Sequence, residues 1–182
     1  MQVIPLDIPG PVLIKPDVHR DGRGFFLEAW NRNVFADAIG HDVEFVQDNH
    51  SRSTHRVLRG LHYQLQPQVQ GKLVRVAQGR IWDVAVDIRP SSPTFRQWVG
   101  AFLSDEDHQQ LWIPPGFAHG LVTLSDTADV VYKVSAYYAA DLDRAIRWND
   151  PEIGIEWPID FSPLLSAKDA NAPHLRDAEV DP

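Results

Sequence analysis

The chain has no cysteine and only one methionine among its 182 residues. The absence of cysteine excludes disulfide bridges, thiolate metal sites and thiol catalysis, and it fits a reducing compartment. No stretch is long and apolar enough for a membrane span, and residues 1–14 lack the basic start and apolar core of a secretory signal. We therefore predict a cytoplasmic protein with no membrane partner.

Positive charge is also scarce, because 17 lysines and arginines stand against 25 acidic residues, for a formal net charge of −8. Such a field repels polyanions, so no nucleic-acid partner is expected, although a local arginine cluster could still bind a small phosphate ligand. With 43% hydrophobic residues, we predict a single domain over residues 1–182. Its N-terminal arm would cover about residues 1–30, and its tail, about residues 166–182, would be loosely held.

Short β-branched and aromatic runs fill the middle of the chain. Residues 73–76 lead through a turn at 78–80 into an alternating run over 82–88, which predicts a hairpin with one buried face. Similar runs follow at residues 95–102, 112–113, 120–124 and 130–136. Because prolines fall between these runs and no βαβ alternation is present, the sequence predicts an all-β, cupin-like double-stranded β-helix, or jelly roll.

Two short peripheral helices are predicted around this β core. The first covers residues 34–39 and ends at Gly40, and the second follows a Ser104 cap with acidic residues in its first turn. The polar stretch 48–56 is expected to be a turn or a loop.

Two histidines stand in patterns that point to chemistry. His62 follows a glycine in a strand-compatible run, and His119 ends a Pro-x-Gly-x-x-His pattern that is typical of the second motif of cupin-like jelly rolls. Either one could instead be a core histidine with a satisfied hydrogen bond. A metal-dependent cupin enzyme is another alternative, but it usually needs His-x-His plus a carboxylate, and the chain has no His-x-His. His50 and His55 lie in the polar stretch, so proton transfer by His62 and His119 is favoured.

Segments spread in order along the chain resemble the dTDP-4-dehydrorhamnose 3,5-epimerase family, and the likeness runs from about Asp21 to Asp169. The segments are DGRGFF (21–26), FVQDNHS (45–51), LRGLHYQ (58–64), GKLVRV (71–76), WIPPGFAHG (112–120) and IRWNDP (146–151). The resemblance implies a jelly-roll homodimer that converts dTDP-4-dehydro-6-deoxy-D-glucose to dTDP-4-dehydro-L-rhamnose. It also implies that the reaction uses no cofactor and no metal.

The resemblance assigns four residues to the chemistry of the reaction. The general base of the family matches His62, and its partner carboxylate matches Asp169, which would fix the imidazole tautomer. The acid on the opposite face of the sugar matches Tyr132, and Lys72 matches the cation beside the 4-keto oxygen.

A larger set matches the substrate-binding residues of the family. Arg59 would bind the diphosphate, and the ring of Tyr138 would stack on the thymine. The N-terminal arm, with Arg23 and Phe26, would lean on the site of a partner subunit. The full predicted substrate-binding set is Arg23, Phe26, Glu28, Gln47, Asn49, Arg59, His119, Tyr138, Asp143 and Lys168.

The chain departs from the family pattern after Tyr138. Asp143 replaces the usual glutamate, so a contact made there would be shortened or lost, and Ala145 replaces a glycine, which would matter if that position needed a positive φ. Such drift leaves open a mono-epimerase that acts on a related dTDP-4-keto-deoxysugar in antibiotic sugar biosynthesis. A non-catalytic module that binds sugar nucleotides is a separate alternative.

Overall fold

The computed structural model describes residues 1–181, which form two facing β-sheets and a separate hairpin. The strands are β1 (Gln2–Pro5), β2 (Val12–Lys15), β3 (Val18–Asp21), β4 (Gly24–Leu27), β5 (Gln47–Thr54), β6 (Leu58–Gln64), β7 (Lys72–Gln78), β8 (Arg80–Asp87), β9 (Trp98–Ser104), β10 (Gln110–Ile113), β11 (Phe117–Thr123), β12 (Thr127–Val134) and β13 (Asp143–Ala145). The helices are α1 (Arg32–Ile39), α2 (Ala167–Ala170) and a 3₁₀ turn at Leu175–Asp177.

The larger sheet has the strand order β1-β2-β10-β7-β12-β5, and the smaller sheet has the order β13-β6-β11-β8-β9. Within residues 1–181, strands β3 and β4 pair only with each other. All of these pairings are antiparallel. The predicted all-β jelly roll with short peripheral helices is therefore confirmed.

The main core lies between the two sheets. Val74 and Val76 of the larger sheet pack there with Ile81 and Ala85 of the smaller one. Side chains of a strand alternate between its faces, so residues that share the face of Val74 also point into this interior. The outer face of the larger sheet is covered by α1 through Phe35, and the outer face of the smaller sheet is covered by the C-terminal part of the chain.

The connection at Gly79 is a crossing between sheets, so the predicted hairpin was wrong. Strand β7 pairs with β10 and β12, whereas β8 pairs with β11 and β9. Gly79 has φ +83°, and a Cβ there would lie 2.1 Å from the carbonyl oxygen of Thr127. Strand β8 is also buried on both faces beyond Arg80, not on one face as predicted, because the C-terminal chain covers its outer side.

Two other local predictions were wrong. The polar stretch expected to be a loop forms most of β5, an edge strand that pairs with β12 over its whole length. The helix expected after Ser104 is only a turn. The Ser104 hydroxyl does accept the backbone N–H groups of Glu106 and Asp107, but His108 takes φ +57°, which ends the turn before a helix can grow.

The other predicted helix is confirmed as α1, which begins slightly earlier than expected. The Asn31 side chain caps it by accepting the backbone N–H groups of Asn33 and Val34. Gly40 ends it in the left-handed conformation at φ +82°, as its position in the sequence predicted.

The tail differs from the expected loose segment. Leu175 is 5% exposed and packs in the cluster behind the smaller sheet. Its backbone N–H donates to a side-chain oxygen of the buried Asp150 at 2.6 Å. The polar and proline-rich composition of the tail therefore hid a few apolar contacts that hold it against the sheet.

Candidate active site

His62 points from β6 into the space between the sheets and carries a carboxylate partner. Its Nε2 lies 2.5 Å from Oδ1 of Asp169, which is only 2% exposed. The hydroxyl of Ser166 donates to the other carboxylate oxygen at 2.8 Å. Burial alone would raise the pKa of Asp169, but the hydrogen bonds from His62 and Ser166 outweigh it and leave that pKa below its usual value. A proton held on Nε2 leaves the Nδ1 lone pair of His62 available as a base.

His119 lies directly opposite His62 on the neighbouring strand β11. Its Nε2 is 2.6 Å from Oδ1 of Asp83, which is completely buried on β8. Burial lowers the pKa of His119, and the Asp83 carboxylate opposes that shift. Sequence reasoning did not single out Asp83. The available signal was a carboxylate between Trp82 and Val84, in the apolar middle of a strand whose other charged residues stand at its two ends.

Lys72 begins β7 on the larger sheet and reaches across to the smaller one. Its Nζ donates to the backbone oxygen of His62 at 3.3 Å, and the residue is 7% exposed. Burial lowers the pKa of Lys72 to about 8, although the Asp143 and Asp83 carboxylates oppose the shift. Lys72 is therefore still mainly an ammonium at neutral pH, but it loses its proton well below the usual range for lysine.

Tyr132 lies on β12, and its ring packs against the interior core. Val134 of the same strand pairs with Lys72, so Tyr132 and Lys72 are diagonal neighbours on one face, with Cα atoms roughly 7–8 Å apart. Burial raises the pKa of Tyr132; the Arg59 guanidinium lowers it and the Asp143 carboxylate raises it. Tyr132 thus faces the interior from the larger sheet, and His62 faces it from the smaller one.

The residues expected at the nucleotide end gather beside Tyr132 on the same face. Asn49 pairs with Tyr132 across β5 and β12. The Gln47 side chain donates to Asn49 at 2.8 Å and accepts the backbone N–H of Tyr138 at 3.1 Å. Arg59 donates from Nε to the Ser53 hydroxyl at 3.0 Å.

Asp143, the departure from the family glutamate, is engaged on two sides. One of its carboxylate oxygens accepts the ammonium of Lys168 and the hydroxyl of Tyr138, the latter at 3.2 Å. Ala145, the other departure, pairs with His62 at the end of β13. It is not among the described non-glycine residues that have a positive φ, so the replacement of glycine there causes no backbone strain.

Of the predicted residues on the N-terminal arm, Arg23 and Phe26 form no hydrogen bond with this cluster among residues 1–181, whereas Glu28 lines a cleft of about 510 Å³ together with Asn49 and Tyr132. Arg23 pairs with Asp21 of its own hairpin at 2.6 Å, and Phe26 is 71% exposed. Glu28 accepts a hydrogen bond from the Asn31 side chain at 3.1 Å. The hairpin β3–β4 contacts the turn between β9 and β10, where the ring of Phe25 lies 4.5 Å from that of His108.

Two glycines bring the histidine strands into close contact. A Cβ on Gly60, which has φ +117°, would lie 2.6 Å from both Cα of Gly120 and the carbonyl oxygen of His119.

We expect Gly60→Ala to destabilise the fold by about 3 kcal/mol through this clash and the backbone strain. The melting temperature should fall by roughly 6–12 °C in calorimetry. Gly22→Ala, at a glycine with nothing within 4 Å, is the control, and equal melting temperatures for the two variants would contradict the argument.

Among residues 1–181, no three His, Asp or Glu side chains are grouped so that they could hold a metal ion. Over the same residues, no helix is long and apolar enough to cross a membrane.

The known proteins that this chain resembles are sugar-nucleotide epimerases. A profile of the dTDP-4-dehydrorhamnose 3,5-epimerase family matches residues 5–177. A Shigella flexneri protein named dTDP-4-dehydrorhamnose 3,5-epimerase is 56% identical over 179 residues, 98% of each chain. The Legionella pneumophila Philadelphia 1 dTDP-6-deoxy-D-glucose-3,5-epimerase, solved with dTDP-4-keto-L-rhamnose, has a TM-score of 0.94 at 48% identity, over 97% of this chain and 93% of that one. A Streptomyces bikiniensis 3'-monoepimerase, solved with dTDP-quinovose, has a TM-score of 0.90 at 36% identity, over 95% and 87%.

The jelly roll and these relatives define the chain as an isomerase of the cupin-like fold. Identity above one half extends over nearly the whole chain, and the family profile covers both sheets. The chain belongs to the dTDP-4-dehydrorhamnose 3,5-epimerase family, as its motifs predicted.

Proposed function

We propose that the chain converts dTDP-4-dehydro-6-deoxy-D-glucose to dTDP-4-dehydro-L-rhamnose by inverting carbons 5 and 3. The observation that carries this proposal is the placement of His62 and Tyr132 on opposite sheets, both facing one interior, with Lys72 between the sheets. Inversion requires a base on one side of a carbon and an acid on the other. The names of the relatives supply the substrate class.

In the proposed mechanism, Nδ1 of His62 removes the proton from carbon 5, which is acidic because it neighbours the carbon-4 ketone. The electrons move onto the ketone oxygen, where the Lys72 ammonium stabilises the enolate, and Asp169 stabilises the imidazolium. Tyr132 then donates its phenolic proton to the other face of carbon 5. Solvent returns a proton to Tyr132 and removes one from His62. Carbon 3 flanks the same ketone, so the same groups can repeat the steps there.

The remaining predicted contacts hold the nucleotide in this proposal. Arg59 is suited to the diphosphate because its guanidinium offers a fork of donors. Tyr138, whose side chain is exposed, would stack on the thymine. The other residues proposed to contact substrate are Gln47, Asn49, His119, Asp143 and Lys168.

We also propose a homodimer in which the N-terminal arm of one subunit completes the site of its partner. In support, Arg23 and Phe26 lie on the hairpin β3–β4, whose strands pair only with each other among residues 1–181, and the Phe26 ring is exposed. Exposed aromatic and arginine side chains are common in interfaces between proteins. A cytoplasmic location fits the absence of cysteine.

Deuterium exchange into dTDP-4-dehydro-6-deoxyglucose, followed by NMR, tests the proposed function. Uptake of deuterium at carbons 5 and 3 together with inversion is the expected result. Uptake at one carbon only would favour the mono-epimerase alternative, which one structural relative represents by name. The absence of exchange at both carbons would overturn the proposal.

The rate of epimerisation should depend on the charge of Lys72. With its pKa near 8, the ammonium is present below pH 8 and is lost above it, so kcat/KM should fall about tenfold per pH unit above that point. Burial raises the pKa of Tyr132, so the phenol does not account for this loss. Lys72→Arg keeps the charge and should move the fall to higher pH. A wild-type profile that stays flat to pH 10 would contradict this role.

A further inference from the structure

The C-terminal segment, defined here as residues 166–181, contacts both faces of the edge strand β13. Consecutive strand residues point to opposite faces. Asp143 shares the inner face with His62 and binds the ammonium of Lys168. Arg144 lies on the outer face and donates from Nε and Nη2 to the carboxylate of Glu179, at 2.9 and 2.8 Å. The segment therefore passes around the edge of the smaller sheet.

Glu179 is also bound to the strand that carries His62. Its backbone oxygen accepts the hydroxyl of Tyr63 at 2.5 Å, and Tyr63 pairs with Arg144 across β6 and β13. Tyr63 is 5% exposed and directly follows His62 in the chain. Glu179 thus joins β13 to β6 from the outer face, through one side chain of each strand.

The position of Asp169 depends on how this segment is held. Its helix α2 has only four residues, and a helix of that length has no stability of its own. The middle of the segment is held by the buried Leu175 and by its backbone hydrogen bond to Asp150. A cleft of about 410 Å³ lies between β13 and the segment, so beside β13 the polar contacts at either side of the cleft add to that packing.

We propose that Glu179, with Arg144 and Tyr63, forms a clasp around β13 that positions Asp169 on His62. The inference rests on the proposed function, in which His62 is the base. Arg144 and Glu179 are positioning residues, because their hydrogen bonds go to each other, to Tyr63 and to backbone groups and none goes to His62. Loosening the clasp would lengthen the 2.5 Å contact between His62 and Asp169, and small displacements in a catalytic group lower the rate strongly.

Charge reversal on each side of the ion pair tests the clasp. Arg144→Glu and Glu179→Arg should each lower kcat about fivefold to tenfold and leave KM within about twofold, because neither residue is proposed to contact substrate. The double variant restores the pair in the opposite sense and should recover most of kcat. Arg176→Glu is the matched control, since Arg176 lies in the same segment but, among residues 1–181, its side chain forms a polar contact with Asp177 alone.

A second measurement does not depend on activity. The proton on Nε2 of His62, held against Asp169, should give a downfield NMR signal in the intact chain and in Arg176→Glu. That signal should broaden or disappear in each single reversal and return in the double variant. If the intact chain shows the signal but exchanges no deuterium into the sugar, the proposed function fails and the clasp stands.

The clasp would be overturned if the single reversals lowered only the melting temperature, with kcat per folded molecule and the His62 signal both unchanged. It would also be overturned if kcat fell equally in Arg176→Glu. Glu179→Gln, which removes the charge and keeps the shape and the backbone acceptor, replaces the reversals if they fail to fold. Its expected loss of kcat is about threefold.

Discussion

Replacing His62 with alanine is expected to abolish the uptake of solvent deuterium at both carbon 5 and carbon 3. The imidazole is the one base in the proposed mechanism, and removal of a general base lowers rates by about 10²–10⁴-fold. Asp169 cannot take its place, because it is 2% exposed and is held by Ser166. NMR of dTDP-4-dehydro-6-deoxyglucose in deuterated buffer, compared with the unmodified enzyme at equal concentration, measures the loss directly.

His41→Ala is the matched control for this result. His41 is exposed just after α1, and among residues 1–181 the hydrogen bond of its ring is to the backbone oxygen of Ile39, at the end of that helix. The control should exchange deuterium at the unmodified rate. Normal turnover in the His62 variant would defeat the assignment of the base.

Tyr132→Phe should separate the two halves of the reaction. His62 and Asp169 remain intact in this variant, so proton removal continues and deuterium enters with retention of configuration. Inversion should fall by about 10²-fold, because no phenol is left to protonate the opposite face. The ratio of exchange to inversion, obtained from NMR of the sugar protons over time, is therefore expected to rise sharply.

The ring of Tyr132 packs in the main core, and phenylalanine preserves that packing, so a large loss of stability is not expected. The melting temperature of the variant serves as the control for folding. Equal losses of exchange and inversion would show that Tyr132 acts before proton removal, and that outcome would contradict its role as the acid.

Local sequence patterns predicted the apolar strands but neither the polar β5 nor the pairing of the strands. Alternation identified β8 and β-branched residues identified β12, although β8 is buried on both faces. The same reasoning paired β7 with β8, because a short turn at Gly79 usually joins neighbours in one sheet. The crossing between sheets depends on non-local pairing with β10 to β12, and no feature of the turn itself reveals that.

The family resemblance located the chemical residues, and the geometry added what the motifs did not contain. Asp83 was missed because a carboxylate in an alternating strand reads as solvent-exposed, although here it is buried against His119. The expectation of a loose tail overlooked Leu175 and Glu179, whose contacts are with residues far away in the chain. Contacts between residues so far apart in the chain can be identified only once the strand at the edge of the smaller sheet, β13, is known.

The polar side chains of β5, which led to the prediction of a loop, lie along an exposed edge of the larger sheet. Strand β5 is the last strand of the larger sheet, so one row of its backbone groups has no partner strand within the sheet. Exposed edges of this length invite pairing with other chains and lead to aggregation. Asp48, His50 and Arg52 place polar or charged side chains along this edge, so a more hydrophobic β5 would be easier to recognise as a strand and would make the protein less soluble.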